Sequence, residues 1–122
     1  MCRAMTLPSI ARTEAFGVVQ VEAMAAGLPV VSTRLPTGVP WVNQDGATGL
    51  VVTPDDAGAL GEALGRLGRD HDLRDRLGAG ARQRADALFS RDRMVRIFRD
   101  VVEAVVRSPE RLDQQLAELA VQ

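Results

Sequence analysis

One segment, residues 14 to 33, constrains the fold more than any other part of this chain. It turns at Gly17, continues through helix-forming residues to Gly27, and ends in the apolar run Leu28-Pro-Val-Val-Ser-Thr33. A short, β-branched apolar run is typical of a parallel strand, which helices bury on both faces. We therefore predict an α/β fold in which a helix over residues 17 to 26 leads into a buried strand.

The start of that helix suits an anion. Gly17 lets the backbone turn closely, and free N–H groups of residues 17 to 19 attract phosphate through unpaired donors and the helix dipole. Glu14 and Glu22 flank this terminus. Because like charges repel, these carboxylates are better acceptors for sugar or ribose hydroxyls than ligands for phosphate. The pattern favours a sugar nucleotide, although a glycine-initiated helix before a buried strand also occurs in α/β proteins of other function.

The rest of the first half predicts further strands of the same sheet. Met5 to Ser9 indicates the end of a strand, residues 34 to 48 a loop, and Gly49 to Thr53 another strand. Pro54-Asp55-Asp56 predicts a helix cap, because aspartate accepts hydrogen bonds from free N–H groups. We expect an open, apolar edge on the strand over residues 28 to 33, because so little chain precedes it.

The second half has helical periodicity. Five leucines recur at helical spacing: Leu60, Leu64, Leu67, Leu73 and Leu77. A stronger apolar stripe follows: Met94, Ile97, Phe98, Val101, Val102 and Val105. We expect both sets of side chains to pack in the core. Ser108-Pro109 predicts the start of a last amphipathic helix with Leu112, Leu116 and Leu119 on one face. The predicted organisation is a partial Rossmann-like domain over residues 1–106 and a C-terminal helix over residues 107–122.

Composition argues against several functions. The 122 residues fit one domain, and the formal charge of −1, with arginine supplying all 15 basic residues, argues against nucleic acid as a partner. Cys2 is the single cysteine, so we expect no internal disulfide, no redox chemistry and a reducing cytoplasm. We also expect neither export nor membrane spanning, because no long apolar run is present.

Other candidate sites have simpler explanations. Asp70-His71-Asp72 suggests a metal pair, but it lies between two helical stripes, where aspartate is a common cap, and His71 is the only histidine. Ser9, Ser32 and Thr33 have no adjacent base that would make them nucleophiles. We therefore predict no metal site and no hydroxyl nucleophile.

Two further features have competing interpretations. Trp41 is predicted to pack its loop, with a stacking or acceptor-lining role as the alternative, and its neighbours Pro40 and Asn43 suggest a partly exposed turn. The arginine-rich stretch of the last stripe is predicted to be mostly a solvated face rather than a phosphate site: Arg91, Arg93, Arg96 and Arg99.

The motifs together resemble a known family. Glu14 and Glu22 are separated by seven residues with Phe16-Gly17 between them, and four blocks follow in order: Glu22-Ala-Met-Ala-Ala-Gly27, Gly38-Val-Pro-Trp41, Asp45-Gly-Ala-Thr-Gly-Leu50 and Pro54-Asp55-Asp56. Over about residues 7 to 98, the chain resembles the C-terminal, donor-binding part of the family 4, or group 1, retaining glycosyltransferases of GT-B architecture.

The resemblance implies residue roles. Glu14 would contact the donor sugar as the catalytic residue, the backbone around Phe16, Gly17, Val18 and Val19 would bind the sugar and diphosphate, and Glu22 would bind the ribose hydroxyls. The implied substrates are a nucleotide-diphosphate sugar and a sugar or lipid-linked acceptor, in the synthesis of a polysaccharide, glycolipid or cell-envelope glycan. No cofactor or metal is implied, and the implied location is the cytoplasm, including the inner face of the membrane.

One departure from the family limits this expectation. The family supplies an Arg and Lys pair to the diphosphate from a strand that would precede Met1, and this chain contains no lysine. We therefore expect a fragment, truncated at its N-terminus, that is inactive alone. The alternative is a non-catalytic remnant or interaction module that docks onto a partner chain. The open sheet edge and the uncovered tail stripes also predict self-association or marginal folding.

Overall fold

The computed structural model describes residues 2–107, which contain a parallel sheet and five helices. In chain order the elements are β1 (Met5–Leu7), α1 (Val18–Ala25), β2 (Val30–Thr33), α2 (Val39–Val42), β3 (Gly49–Val52), α3 (Ala57–Arg69), α4 (His71–Leu88) and α5 (Arg91–Arg107). The described residues divide into two compact units, one ending at Ala87 and one beginning at Leu88. None of the helices in residues 2–107 combines the length and the apolar composition of a membrane-spanning segment.

The sheet confirms the predicted parallel α/β fold. Its strands lie in the order β1-β2-β3, and the register aligns Met5 with Val30 and Val30 with Gly49. All four residues of β2 are buried. A helix-containing connection precedes and follows β2, as parallel pairing requires.

The prediction that the strand over residues 28 to 33 has an open edge is wrong. β2 is the central strand and pairs with β1 on one side and β3 on the other. The three residues Met5–Leu7 are enough to cover its first edge, and a strand this short has a weak sequence signal.

The outer edge of β3 is partly covered by its own preceding turn. Asp45 accepts a hydrogen bond from the Val51 N–H at 3.0 Å, and the Gly46 N–H donates to the Gly49 carbonyl at 2.9 Å. Because these groups are already paired, they are not available to a further strand at that edge.

One face of the sheet packs on the leucine stripes of α3 and α4. This core consists of Val31, Leu50, Ala63, Leu67, Leu73 and Leu77. The predicted packing of Leu67, Leu73 and Leu77 is therefore confirmed. Leu64 is 38% exposed, since it lies at the margin of the apolar stripe of α3.

A buried polar network joins β2 and β3 on the opposite face. The Asn43 side-chain amide lies 3.0 Å from the Val30 carbonyl, 2.9 Å from the Ser32 hydroxyl and 3.3 Å from the Leu50 carbonyl, and it accepts from the Thr48 hydroxyl at 2.9 Å. Asn43 is 0% exposed. The turn around Trp41 is partly exposed, as predicted, since Trp41 is 55% exposed, whereas Asn43 is buried because its side chain bonds to strand backbone.

The expected loop over residues 34 to 48 contains the short helix α2. Gly38 is its N-cap, and Pro40 lies near its start, where a missing N–H costs no helical hydrogen bond. Val39 and Val42 of this helix are fully buried. The proline and glycine signals that predicted a loop are thus also those of a helix start.

The prediction that the apolar stripe from Met94 to Val105 packs in the core is wrong for the described residues. Met94 is 65% exposed, Phe98 70%, Val102 45% and Val105 40%, and α5 has no buried residue. Periodicity determines which side of a helix is apolar, but not what packs against that side. The arginines Arg91, Arg96 and Arg99 are exposed, as predicted, and Arg93 is half-buried. The predicted helix with Leu112, Leu116 and Leu119 lies outside the described residues, and the boundary near residue 106 stays a prediction.

Asn43→Ala is expected to lower the free energy of unfolding by about 2 to 3 kcal/mol, because it leaves buried carbonyl groups without a donor. Urea denaturation followed by circular dichroism measures this loss. Gln44→Ala is the matched control, since Gln44 is exposed and bonds to Thr48 through its backbone. A loss for Asn43→Ala no larger than for Gln44→Ala would contradict the structural role of the network.

Candidate functional site

The candidate site lies where β1 leads into α1. β1 ends at Leu7 and α1 begins at Val18, so the connection between them leaves the carboxyl end of the sheet. Ligands of open parallel sheets bind at this edge, beyond the carboxyl ends of the strands. The fold thus places the predicted donor-binding segment where an α/β sheet binds ligands.

Gly17 makes the turn into α1. Its φ of 75° and ψ of 66° are left-handed, a conformation that costs residues with a Cβ atom about 1 to 2 kcal/mol. A Cβ atom at this position would also lie 2.7 Å from the Leu7 side chain and 2.9 Å from that of Gln20. The left-handed dihedral angles favour glycine here, and a Cβ atom would displace the ends of the Leu7 and Gln20 side chains, which confirms the predicted close turn.

The N-terminus of α1 is open. Gly17 offers no side-chain cap, the first turn has no acidic residue, and the Gln20 N–H donates to the Gly17 carbonyl at 2.9 Å. Within residues 2–107, the N–H groups of residues 17 to 19 have no acceptor. Val18 is 64% exposed and Val19 46%. The positive end of the helix dipole is therefore accessible and is not neutralised by a capping carboxylate.

The two predicted carboxylates lie on either side of this turn along the chain. Glu14 is half-buried in the connection before α1, where its N–H donates to the Ala11 carbonyl at 3.3 Å, and Glu22 is exposed on α1. Among the described residues neither carboxylate has a side-chain hydrogen bond or ion pair. Both can therefore accept hydroxyl groups, and the roles expected for them stay predictions.

Helix α2 is hydrogen-bonded to the segment that forms the turn at Gly17. The Gly38 N–H donates to the Ala15 carbonyl at 2.7 Å. Gln20, which is 0% exposed, donates through its amide nitrogen to the Phe16 carbonyl at 3.0 Å and lies 3.5 Å from the Val39 carbonyl. Sequence reasoning missed Gln20, although a single amide within the apolar stretch Val-Val-Gln-Val was a signal of a buried hydrogen bond.

The Gln20 side chain also carries an unusual feature. Its Oε1 atom is buried and accepts no hydrogen bond within the part of the chain described. The two neighbouring carbonyls assign the nitrogen of the amide toward Phe16 and Val39, because only the nitrogen can donate to them. The Gln20 side chain therefore bonds to the loop only through its amide N–H donors.

Trp41 and Arg84 pack next to this loop, with the Trp41 ring between Phe16 and the Arg84 guanidinium. The Trp41 ring centroid lies 6.1 Å from that of Phe16 at an interplanar angle of 44°, and the Arg84 guanidinium lies 5.3 Å from the Trp41 centroid. Arg84 also donates to the Trp41 carbonyl at 2.6 Å and to the Val42 carbonyl at 3.1 Å. Burial lowers the pKa of the Arg84 guanidinium. The Trp41 ring thus packs on Phe16 and Arg84, which lie outside its loop, and stays 55% exposed, so its predicted roles in packing the loop or lining the acceptor stay predictions.

The other sequence candidates have structural roles. Asp70 accepts from the Leu73 N–H at 3.0 Å and caps α4, and Asp56 accepts from the Ala59 N–H at 2.9 Å and caps α3, as predicted. His71 is exposed, and its Nδ1 lies 2.6 Å from the Arg74 guanidinium. Among residues 2–107 no three His, Cys, Asp or Glu side chains are grouped as a metal site would require.

Two of the three hydroxyl groups considered as nucleophiles, those of Ser32 and Thr33, are engaged in hydrogen bonds. The Thr33 hydroxyl donates to the Ser9 carbonyl, and the Ser32 hydroxyl accepts from Asn43. The Thr33 contact joins the end of β2 to the connection that follows β1 and carries Glu14.

Comparison with known proteins gives a consistent result. The family model for glycosyl transferases of group 1 matches residues 1–84. O-antigen chain mannosyltransferase C of Escherichia coli is 32% identical over 108 residues, which cover 88% of this chain and 29% of that protein. Phosphatidyl-myo-inositol mannosyltransferase of Mycobacterium leprae is 41% identical over 91 residues, covering 72% of this chain and 24% of the relative.

Solved structures share the fold. Sucrose-phosphate synthase from Thermosynechococcus elongatus superposes with a TM-score of 0.70 at 35% identity, over 81% of this chain and 25% of that one. Anabaena HepE in complex with UDP gives 0.75 at 27% identity, over 86% and 28%. The chain thus spans less than a third of the length of these relatives.

Gly17→Ala is expected to destabilise the chain more than Gly27→Ala. Both glycines have a φ near +75°, but a Cβ atom at Gly27 meets nothing within 4 Å, whereas at Gly17 it meets Leu7 and Gln20. We expect Gly27→Ala to cost about 1 to 2 kcal/mol from backbone conformation alone, and Gly17→Ala about 1 to 3 kcal/mol more from overpacking. Urea denaturation of both variants checks this, and equal losses would show that Leu7 and Gln20 do not crowd the turn.

Proposed function

The chain belongs to the glycosyl transferases of group 1, and from that premise we propose that it forms the donor-binding side of a retaining glycosyl transfer. The observation that carries the proposal is the open N-terminus of α1, which starts at the left-handed Gly17 between Glu14 and Glu22. Two independent features thus suit one ligand, because the helix end attracts phosphate and the carboxylates accept hydroxyl groups. The UDP complex of the related HepE supports a nucleotide-diphosphate sugar as that ligand.

Each predicted residue has a role in the proposal. The N–H groups of Gly17, Val18 and Val19, with the backbone of Phe16, bind the sugar and diphosphate. Glu14 lies before the turn and accepts hydroxyl groups of the transferred sugar as the catalytic residue. Glu22 lies further along α1 and accepts the ribose hydroxyls.

In the proposed reaction, the bond between the anomeric carbon and the diphosphate oxygen breaks, and a bond forms to an acceptor hydroxyl oxygen. The electron pair of the broken bond stays on the diphosphate oxygen, and that oxygen then takes up the proton that the acceptor hydroxyl loses. Charge therefore develops on the leaving group, where the N-terminus of α1 stabilises it. We include no metal or resident cofactor in this step, since the nucleotide sugar is itself the substrate.

The wider assignment follows the relatives, of which this chain covers less than a third. The names of two relatives, an O-antigen chain mannosyltransferase and a phosphatidyl-myo-inositol mannosyltransferase, favour a sugar or lipid-linked acceptor in glycan or glycolipid synthesis. We place the reaction in the cytoplasm or at the inner face of the membrane.

The exposed apolar side chains of α5 favour a second candidate, a non-catalytic module that docks onto a partner chain.

The purified 122-residue chain is expected to transfer no sugar above background, because it contains no lysine for the Arg and Lys pair that the resemblance implies at the diphosphate. Release of UDP from UDP-glucose and of GDP from GDP-mannose, with and without sugar acceptors, measures transfer. Turnover above that of a heat-denatured control would show that this segment suffices for catalysis.

Glu22→Gln is expected to weaken nucleotide binding by about 1.5 to 3 kcal/mol, the value of a charge-assisted hydrogen bond to the ribose. Titration of the ¹⁵N-labelled chain with UDP and GDP measures this affinity at the amides of residues 17 to 19. Glu62→Gln is the matched control, because Glu62 is exposed on a different helix, α3. Equal affinity of the Glu22 variant and the wild type would leave Glu22 as a surface residue without a ligand role.

A further inference from the structure

Arg84 is connected to the start of α1 through a series of short contacts. Its guanidinium donates to the last carbonyls of α2, Trp41 at 2.6 Å and Val42 at 3.1 Å, although it lies more than 40 residues later in the chain. The same guanidinium covers the Trp41 ring, which contacts the ring of Phe16. Phe16 immediately precedes Gly17. One side chain of α4 thus bonds the helix that supports the turn and contacts the aromatic pair beside it.

The chemistry of arginine suits this position. α2 has only four residues, so its last carbonyls depend on donors from outside the helix. Arginine is planar and presents several donors in fixed directions, whereas a lysine ammonium is a point charge on a flexible stem. Two hydrogen bonds and a ring contact from one guanidinium therefore restrain α2 in a way that lysine does not reproduce.

The N-terminal end of α2 is hydrogen-bonded to the loop that precedes α1. Gly38, its N-cap, donates to the Ala15 carbonyl at 2.7 Å, and Gln20 joins the Phe16 carbonyl to that of Val39. A shift of α2 would therefore move the backbone on which the orientation of the Gly17 turn depends. Anion binding by backbone N–H groups requires that these groups are already oriented before the ligand arrives.

We propose that Arg84 is a positioning residue for the donor site: by bonding the C-terminal carbonyls of α2 and covering Trp41, it holds the Ala15–Gly17 backbone in the orientation that binds the donor diphosphate. The assignment rests on the proposed function for its ligand. Arg84 itself does not touch the donor in this scheme.

The test compares Arg84→Lys with Arg82→Lys in the full 122-residue chain. Arg82 is exposed on the same helix, two residues earlier, and therefore controls for the loss of a guanidinium from α4. The first measurement needs no ligand: amide hydrogen exchange at Gly38 and Gln20 reports on the restraint, and exchange in β2 reports on global stability. The second is UDP affinity, from shifts of the amides of residues 17 to 19.

In Arg84→Lys we expect exchange at Gly38 and Gln20 to be at least tenfold faster, with β2 unchanged, and UDP binding to be at least fivefold weaker. Arg82→Lys should behave as the wild type in both measurements. Because Trp41 is the single tryptophan, its fluorescence gives a third signal, which UDP should change in the wild type and change less in Arg84→Lys. Trp41→Phe, which keeps an aromatic ring against Phe16, should lie between the wild type and Arg84→Lys in UDP affinity.

Two results would overturn the positioning role. One is wild-type exchange at Gly38 and Gln20, or equal acceleration in β2, since the latter makes Arg84 a general stabiliser of the fold. The other is UDP affinity in Arg84→Lys within twofold of the wild type. If neither UDP nor GDP shifts the amides of residues 17 to 19 in the wild type, the proposed donor site is wrong and the donor part of this inference with it. The exchange measurement then decides separately whether Arg84 holds the loop.

Discussion

The structure depends on one backbone conformation, the left-handed turn at Gly17. This turn ends the connection from β1 and starts α1 with free N–H groups directed away from the helix. The space beside it is already occupied by Leu7 and Gln20, so the strand, the turn and the helix pack as one unit. A Cβ atom at this position would contact Leu7 of β1 and Gln20 of α1, so it would disturb the strand and the helix together.

Buried hydrogen bonds over long distances in sequence hold this unit against the remainder of the sheet. Asn43 bonds to backbone of both β2 and β3, and Gln20 joins α1 to α2. Both amides are fully buried, and a buried amide is stabilising only when its partners are in place. The cost of leaving these partners unpaired favours a single arrangement of α2, and α2 in turn supports the Ala15–Gly17 backbone.

Residues 2–107 differ in how completely they are packed. The first compact unit has a dense core on both faces of the sheet, whereas α5 exposes Met94, Phe98 and Val102. An apolar helix face needs a partner of matching shape, and periodicity alone does not identify that partner.

The sequence by itself determined the local features of this protein. Gly17, the apolar run before Thr33 and the capping Asp56 act on neighbouring backbone, so they predicted the turn, the buried strand and the helix start. Tertiary structure alone decided the features that depend on residues far apart in sequence: β2 lies at the centre of the sheet, Asn43 is buried and Arg84 reaches α2. The physical reason is that helix starts and turns depend on contacts within a few residues, whereas strand order, burial of an amide and the reach of an arginine depend on which distant segments the core brings together.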